Sequence, residues 1–168
     1  LISISASDIA LDDSGSIYVG ARGWGYGLNK YSSDGTFLWG NFPGSFAYSN
    51  ITFDRFGFVY AYDNQLNRRN PFSGEYLSGV YGVYDRSAFT VDSLGNEYAA
   101  DDRISESRGF PVRKYNSAGG QKWDILLNQF DGKRASPYVL AADADGNLYI
   151  ACDAQRSDHS SAPTIIKI

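Results

Sequence analysis

One histidine and one cysteine are all that this chain of 168 residues carries of the two side chains most used for proton transfer and soft-metal binding near neutral pH. Standing alone, Cys152 can form no internal disulfide, and its place just after the apolar run Tyr149-Ile150-Ala151 reads as a buried, inert thiol. His159 lies in the polar run Ser157-Asp158-His159-Ser160-Ser161, which reads as an exposed loop tip with no orienting partner in sight. No Gly-x-Ser-x-Gly turn is present to hold a strained serine, so a Ser-His-Asp assembly has no support. Apolar runs are also short, and none approaches the roughly 20 residues that a helix needs to cross a bilayer. Basic residues are outnumbered, 15 Lys+Arg against 19 Asp+Glu for a net charge of −4, whereas a nucleic-acid partner selects a basic surface. The first residues show no charged-then-apolar targeting segment, and because the chain opens on Leu1 rather than Met, a removed leader or longer upstream region is expected.

What the chain has in quantity is aromatic residues and glycine: 13 Tyr, 10 Phe, 3 Trp and 18 Gly, a mixture suited to short strands joined by tight turns. These residues recur in order. The copies are Asp12-Asp13-Ser14-Gly15-Ser16-Ile17-Tyr18, Asp54-Arg55-Phe56-Gly57-Phe58-Val59-Tyr60, Asp92-Ser93-Leu94-Gly95-Asn96-Glu97-Tyr98 and Asp143-Ala144-Asp145-Gly146-Asn147-Leu148-Tyr149. Each leads to a second phrase, Leu28-Asn29-Lys30-Tyr31, Leu66-Asn67-Arg68-Arg69, Val112-Arg113-Lys114-Tyr115 or Ile165-Ile166-Lys167-Ile168. The turn glycines are 42, 38 and 51 residues apart, close to the roughly 40 to 50 residues of a propeller blade.

Within one copy an apolar strand (A: 9–11, 51–53, 89–91, 139–141) precedes the Asp. The Asp-x-x-Gly step then reverses the chain, the carboxylate bonding local backbone and Gly supplying positive φ. Strand B follows with its Tyr, the second phrase is strand C, and another Gly turn leads to strand D, as in Phe37-Leu38-Trp39 or Lys122-Trp123-Asp124. A four-stranded meander cannot bury both its faces alone, so such units stack side by side. The expected fold is all-β: a β-propeller of four four-stranded blades, near 7–40, 49–79, 87–125 and 137–168 plus 1–5, in one domain over 1–168. The fourth unit lacks a strand D, and the alternating segment Leu1-Ile2-Ser3-Ile4-Ser5 either closes the ring there or leaves the chain as part of a larger propeller.

The order Asp-x-x-Gly-Asn-x-Tyr, apolar-x-Lys-Tyr, Gly-x-x-x-Trp resembles the NHL-type repeat and the related bacterial SBBP-type β-propeller repeat. The resemblance covers nearly the whole chain. Copies three and four keep Gly-Asn, while copies one and two have Ser16 and Phe58 in place of Asn. It implies an extracellular or cell-surface setting.

In a propeller the A-to-B and C-to-D turns share one face, and the B-to-C loops and D-to-A links share the other. Here the turns are uniformly short, and all irregular length falls on the second face, where repeat proteins gather binding residues. The candidate ligand-binding residues there are Trp24, Tyr26, Tyr48, Tyr81, Tyr84, Arg86, Arg103, Arg134, Tyr138 and Arg156. Flat rings with neighbouring charges suit a protein or carbohydrate partner. The glycine-rich run 20–27 opens no helix and has no Walker Lys, so it reads as an aromatic loop rather than a phosphate cradle. Asp143-Ala144-Asp145-Gly146-Asn147 reads as a turn, being too short for a calcium loop. Asp63, Asp101, Asp102 and Asp153, each three or four residues beyond the shared Tyr, are the candidate ligands for a hard cation such as calcium, although capping their own loops is the commoner use. No other cofactor is expected. The expectation is a non-enzymatic recognition or scaffold domain; the alternatives are a metal-assisted hydrolase or lyase using Asp101, Asp102, Asp153 and His159, and a structural segment of a larger surface or filament protein.

Overall fold

The computed structural model describes residues 5–22, 27–41, 49–62, 65–80, 88–101, 110–127, 135–155 and 161–168. Two compact units divide the chain, Leu1–Gly82 and Val83–Ile168. In the first, β1 (Ser5–Leu11), β2 (Ile17–Arg22), β3 (Leu28–Tyr31) and β4 (Phe37–Asn41) form one sheet, and β5 (Ser49–Phe53), β6 (Val59–Tyr62), β7 (Leu66–Arg69) and β8 (Tyr76–Val80) another. The second unit pairs β9 (Ala88–Val91), β10 (Glu97–Ala100), β11 (Phe110–Tyr115) and β12 (Gln121–Leu127) in one sheet, and β13 (Ala135–Ala142), β14 (Leu148–Gln155) and β15 (Ser161–Lys167) in the other.

Every sheet is an antiparallel meander in chain order, and the described residues contain no helix. The sheets are β-propeller blades, as the repeat predicts. The fourth has three strands among the described residues rather than four. Ser5, the last residue of the expected closing segment, begins β1 and pairs with Arg22 of the same blade, while residues 1–4 lie outside the described residues.

The turn chemistry accounts for the repeated letters. Gly15, Gly57, Gly95 and Gly146 have φ between +78° and +84°, a region in which a Cβ is strained. In every copy the Gly N–H donates to the turn Asp carbonyl, and the Asp N–H donates to the residue just after the Gly. One oxygen of the Asp side chain accepts the N–H groups two and four residues on: Ser14 and Ser16 on Asp12, Phe56 and Phe58 on Asp54, Leu94 and Asn96 on Asp92, Asp145 and Asn147 on Asp143.

Within each unit one sheet lays its Tyr-bearing face on the opposite face of the next. In the first unit Tyr18 and Leu28 meet Ile51, Val59 and Ala61, with Ala10, Trp39 and Phe53 around them. Tyr18 stands edge-on to Phe53 and Trp39, with ring centroids 5.0 and 5.9 Å away. The second unit repeats the contact: Tyr98, Ala100, Phe110 and Val112 meet Leu140, Leu148, Ile150 and Cys152. Burying each larger side chain contributes about 1.5 to 3 kcal/mol, so these faces dominate the stability of their units. Cys152 is buried as expected, and its desolvation, with the Asp153 charge, raises its pKa. Polar ties cross the same contact in the first unit: Lys30 Nζ and Trp39 Nε1 both donate to the Pro71 carbonyl, at 3.1 and 3.0 Å, and Ile51 N–H donates to Asp8 Oδ2 at 2.6 Å.

Candidate functional site

An antiparallel meander sends its two short turns out of one edge, and its B-to-C connection and both inter-sheet ends out of the other. Each sheet therefore has a short-turn edge and a long-connection edge, and they are built differently.

At the short-turn edge the Asp, Tyr and cation of the repeat form one assembly. The Tyr hydroxyl donates to the second Asp oxygen at 3.2 Å for Tyr18 and Asp12, 3.1 Å for Tyr60 and Asp54, 3.0 Å for Tyr98 and Asp92, and 3.2 Å for Tyr149 and Asp143. Register then sets the strand-C cation directly across from the Tyr: Lys30 from Tyr18, Arg68 from Tyr60, Lys114 from Tyr98, Lys167 from Tyr149. The Lys ammonium groups lie 4.8, 4.8 and 5.3 Å from the centroids of Tyr18, Tyr98 and Tyr149, within cation–π range. Lys30 is also 3.4 Å from Asp12, and Arg68 is 3.8 Å from Asp54.

These contacts shift the ionisable groups in consistent directions. Burial alone raises the Asp12 pKa, but the hydrogen bonds from Ser14 and Ser16 and the Lys30 ammonium outweigh it and hold the carboxyl at about 2. Desolvation, followed by the Asp12 carboxylate, raises the Tyr18 phenol; desolvation and Asp92 raise Tyr98. Asn96 and Asn147 each add an amide hydrogen bond of 2.7 Å to the second Asp oxygen, which is what the Gly-Asn form of the repeat contributes and Phe58 cannot. Both oxygens of Asp143 thus accept protein donors, which is the geometry of the turn read from the sequence. The hydrogen bond from the Asn147 amide leads the lowering of its pKa.

The residues proposed for binding are expected at the long-connection edge. Trp24, Tyr26, Tyr48, Tyr81, Tyr84, Arg86, Arg103, Arg134 and Arg156 lie outside the described residues, as do Asp63, Asp102 and His159. Tyr138 is described. It is the extra residue of a β-bulge: Pro137 pairs with Cys152 and Val139 with Ala151, so Tyr138 has no partner across the ladder. It lies in the half of β13 nearer the long-connection edge and is 51% exposed. Bulges of this kind re-aim a side chain away from the regular alternation. The two described carboxylates of the cation set differ: Asp101, at the end of β10, is buried and donates its N–H to the Pro111 carbonyl, whereas Asp153 in β14 is exposed. Among the described residues no three His, Cys, Asp or Glu side chains converge as a metal site would require.

Sequence reasoning assigned no binding residue to the short-turn edge, yet in the second blade that edge exposes Phe72, at 88%, and Phe56, over which Arg55 is stacked 4.8 Å from the centroid. The available signal was an aromatic at the turn position where the other copies have Ser14, Leu94 and Asp145.

No protein-family model matches the chain, and no curated protein matches it by sequence. Solved structures do. Virginiamycin B lyase from Staphylococcus aureus is similar at a TM-score of 0.64 and 13% identity, over 99% of this chain and 60% of that one. A protein of unknown function from Bacteroides caccae gives 0.60 and 16%, over 98% and 61%. BamB from Moraxella catarrhalis gives 0.59 and 15%, over 96% and 41%. At these identities the likeness is one of fold, and the class it defines with the four meanders is the β-propeller. The chain spans between 41% and 61% of the length of these three proteins.

Proposed function

We propose that this chain is a non-enzymatic recognition or scaffold domain that binds a protein or glycan at the long-connection edge of its blades, in an extracellular or cell-surface setting. The observation that carries this reading is Tyr138: a half-exposed ring on a β-bulge at the edge where the variable connections leave a regular sheet. Variable connections on a rigid frame are the usual place for recognition, and a Tyr ring offers flat apolar area with a polar tip at little entropic cost. The frame is supplied from the other edge, where each Asp ties down two backbone N–H groups and a Tyr hydroxyl. Trp24 and Tyr26 are further proposed ligand-binding residues, and the resemblance to SBBP-type repeats supports the surface location. A lyase reading draws only on the shared fold of virginiamycin B lyase, and a fold hosts many functions.

Glycan and secreted-protein arrays probed with the purified chain test the proposal. The expected result is a ligand whose binding falls at least tenfold on Tyr138→Ala or Trp24→Ala; a ligand held equally well by both variants, or turnover of a substrate unaffected by them, overturns it.

A further inference from the structure

The C-to-D turns follow one plan, and the second blade departs from it. In the first blade Ser32 N–H donates to the Thr36 carbonyl and Gly35 N–H to that of Ser32; in the third, Asn116 N–H donates to Gly120 and Gly119 N–H to Asn116. In the second blade Asn70 N–H donates to Glu75 and Gly74 N–H to Asn70, so this turn holds one residue more. The longer turn carries Phe72, which is 88% exposed. It is also fastened in three ways. Asn70 Oδ1 accepts Phe72 N–H at 2.8 Å and Ser73 N–H at 3.3 Å, the Pro71 carbonyl takes Lys30 and Trp39 from the first blade, and Gly74 lies so near Trp39 that a Cβ would stand 2.6 Å from the ring. A ring held in water on a fastened turn loses little freedom when a partner covers it. The A-to-B turn of the same blade leaves by the same edge and adds Phe56, 59% exposed, with Arg55 stacked upon it, where the other copies have Ser14, Leu94 and Asp145. Both rings sit on turns that leave the sheet by its edge, so the packing of blade face on blade face does not decide their exposure. Single exposed rings are ordinary, but two on one blade's edge, one of them on a lengthened turn, mark an interaction surface.

The rings have acidic surroundings. Lys30, which donates to the Pro71 carbonyl, is 3.4 Å from Asp12, so the Phe72 turn adjoins the A-to-B turn of the first blade. Asp13, Asp34 and Glu75 are exposed at the four short turns of this unit, and among the described residues of those turns Arg55 is the one exposed base. Asp12 and Asp54 are already engaged with Lys30 and Arg68. We propose that the short-turn edge of the first unit is a docking surface for a protein segment that carries Lys or Arg beside apolar side chains. The apolar side chains cover Phe56 and Phe72, while the cations pair with the exposed acids or lie on the ring faces. An acidic segment or an anionic lipid headgroup meets like charge here, which complementarity disfavours. This surface is distinct from the long-connection edge, and different residues read its partner.

Panning a phage-displayed library of random peptides on the purified chain, with clones that also bind Phe72→Ala removed, tests the proposal. The expected consensus sets Lys or Arg beside Leu, Ile or an aromatic residue; an acidic consensus, or no clone that tells the two proteins apart, overturns it. Fluorescence anisotropy on the leading peptide should then show binding weakened about tenfold or more by Phe72→Ala and by Phe56→Ala, and kept within about threefold by Phe72→Trp. Asp34→Asn retains the side-chain oxygen that accepts Thr36 N–H, and should weaken binding and flatten its dependence on salt. The substituted side chains are exposed, so each variant should fold with its far-ultraviolet dichroism unchanged. Binding that is indifferent to Phe56→Ala and to Asp34→Asn overturns the proposal. Tyr138→Ala should leave the peptide's affinity within about twofold. If every enriched peptide is also lost with Tyr138→Ala, the two edges are not separate surfaces and the proposal falls; a Phe72-dependent peptide with no ligand at Tyr138 upholds this surface and removes the other.

Discussion

Removing the Asp92 carboxylate should cost far more than removing the hydroxyl it holds, and the difference can be worked from the contacts. Asp92 is buried and accepts four donors: Leu94 N–H and Asn96 N–H at 2.9 Å, the Asn96 amide at 2.7 Å and the Tyr98 hydroxyl at 3.0 Å. In Tyr98→Phe one hydrogen bond to a charged acceptor is lost while three remain on the carboxylate, so the cost should sit at the low end of the usual range, about 1.5 kcal/mol. In Asp92→Ala the buried Tyr98 hydroxyl loses its acceptor, at about 1 to 3 kcal/mol, and the turn loses the side chain that organises it. The sum should be about 3 to 4 kcal/mol. Tyr98→Phe made on top of Asp92→Ala should then cost nothing or restore stability, because it removes a hydroxyl that has lost its partner. Urea unfolding followed by the fluorescence of Trp123, its ring centroid 6.1 Å from that of Tyr98, in a background with Trp24 and Trp39 replaced by Phe, reads the required transition, with the slope checked for constancy. Additive effects of the two substitutions, or an Asp92→Ala cost below about 1 kcal/mol, would refute the assembly described at the short-turn edge.

Other expectations follow from single contacts. Gly57→Ala should cost only the backbone strain of its positive φ, about 1 to 2 kcal/mol, because nothing lies within 4 Å of the added Cβ. Gly74→Ala should cost more, by about 1 to 3 kcal/mol, since its Cβ would sit 2.6 Å from Cε3 of Trp39; paired urea titrations compare the two. Asp12, held at about 2 in the folded chain against an ordinary unfolded value of about 3.9, stabilises the fold above that unfolded value and loses this contribution as pH falls through the window between them. The stability gap between the unsubstituted chain and Asp12→Asn should accordingly narrow from about pH 4 towards pH 2 in acid unfolding curves. Cys152, buried and raised in pKa, should react with a thiol reagent only at the rate of unfolding; rapid reaction in the native state would contradict its place in the core.

The fold was legible because the repeat is written in residues with strong local requirements. Positive φ calls for Gly15, Gly57, Gly95 and Gly146, and a side chain that closes the turn calls for Asp, so both recur in phase. The constant Tyr and the Lys or Arg of the second phrase were visible as repeated letters. Their meeting was not, since it depends on cross-strand register between segments separated by connections of different length. Of the candidate site, Tyr138 is half-exposed, and the bulge that presents it leaves no mark in the sequence beyond Pro137 beside it. Asp101, a candidate cation ligand in the sequence, is buried at the end of β10, where its N–H donates to the Pro111 carbonyl, a burial that its place three residues beyond the shared Tyr does not announce. Phe56 and Phe72 went unremarked because turn positions were read for their backbone geometry alone.

The exposed rings at the two edges give the most direct test of the functional claim. Binding of the array-identified ligand should be measured by calorimetry for the unsubstituted chain, Tyr138→Ala and Phe72→Ala. The account expects Tyr138→Ala to weaken binding at least tenfold and Phe72→Ala to leave it within twofold; the reverse order would place recognition at the short-turn edge and contradict it.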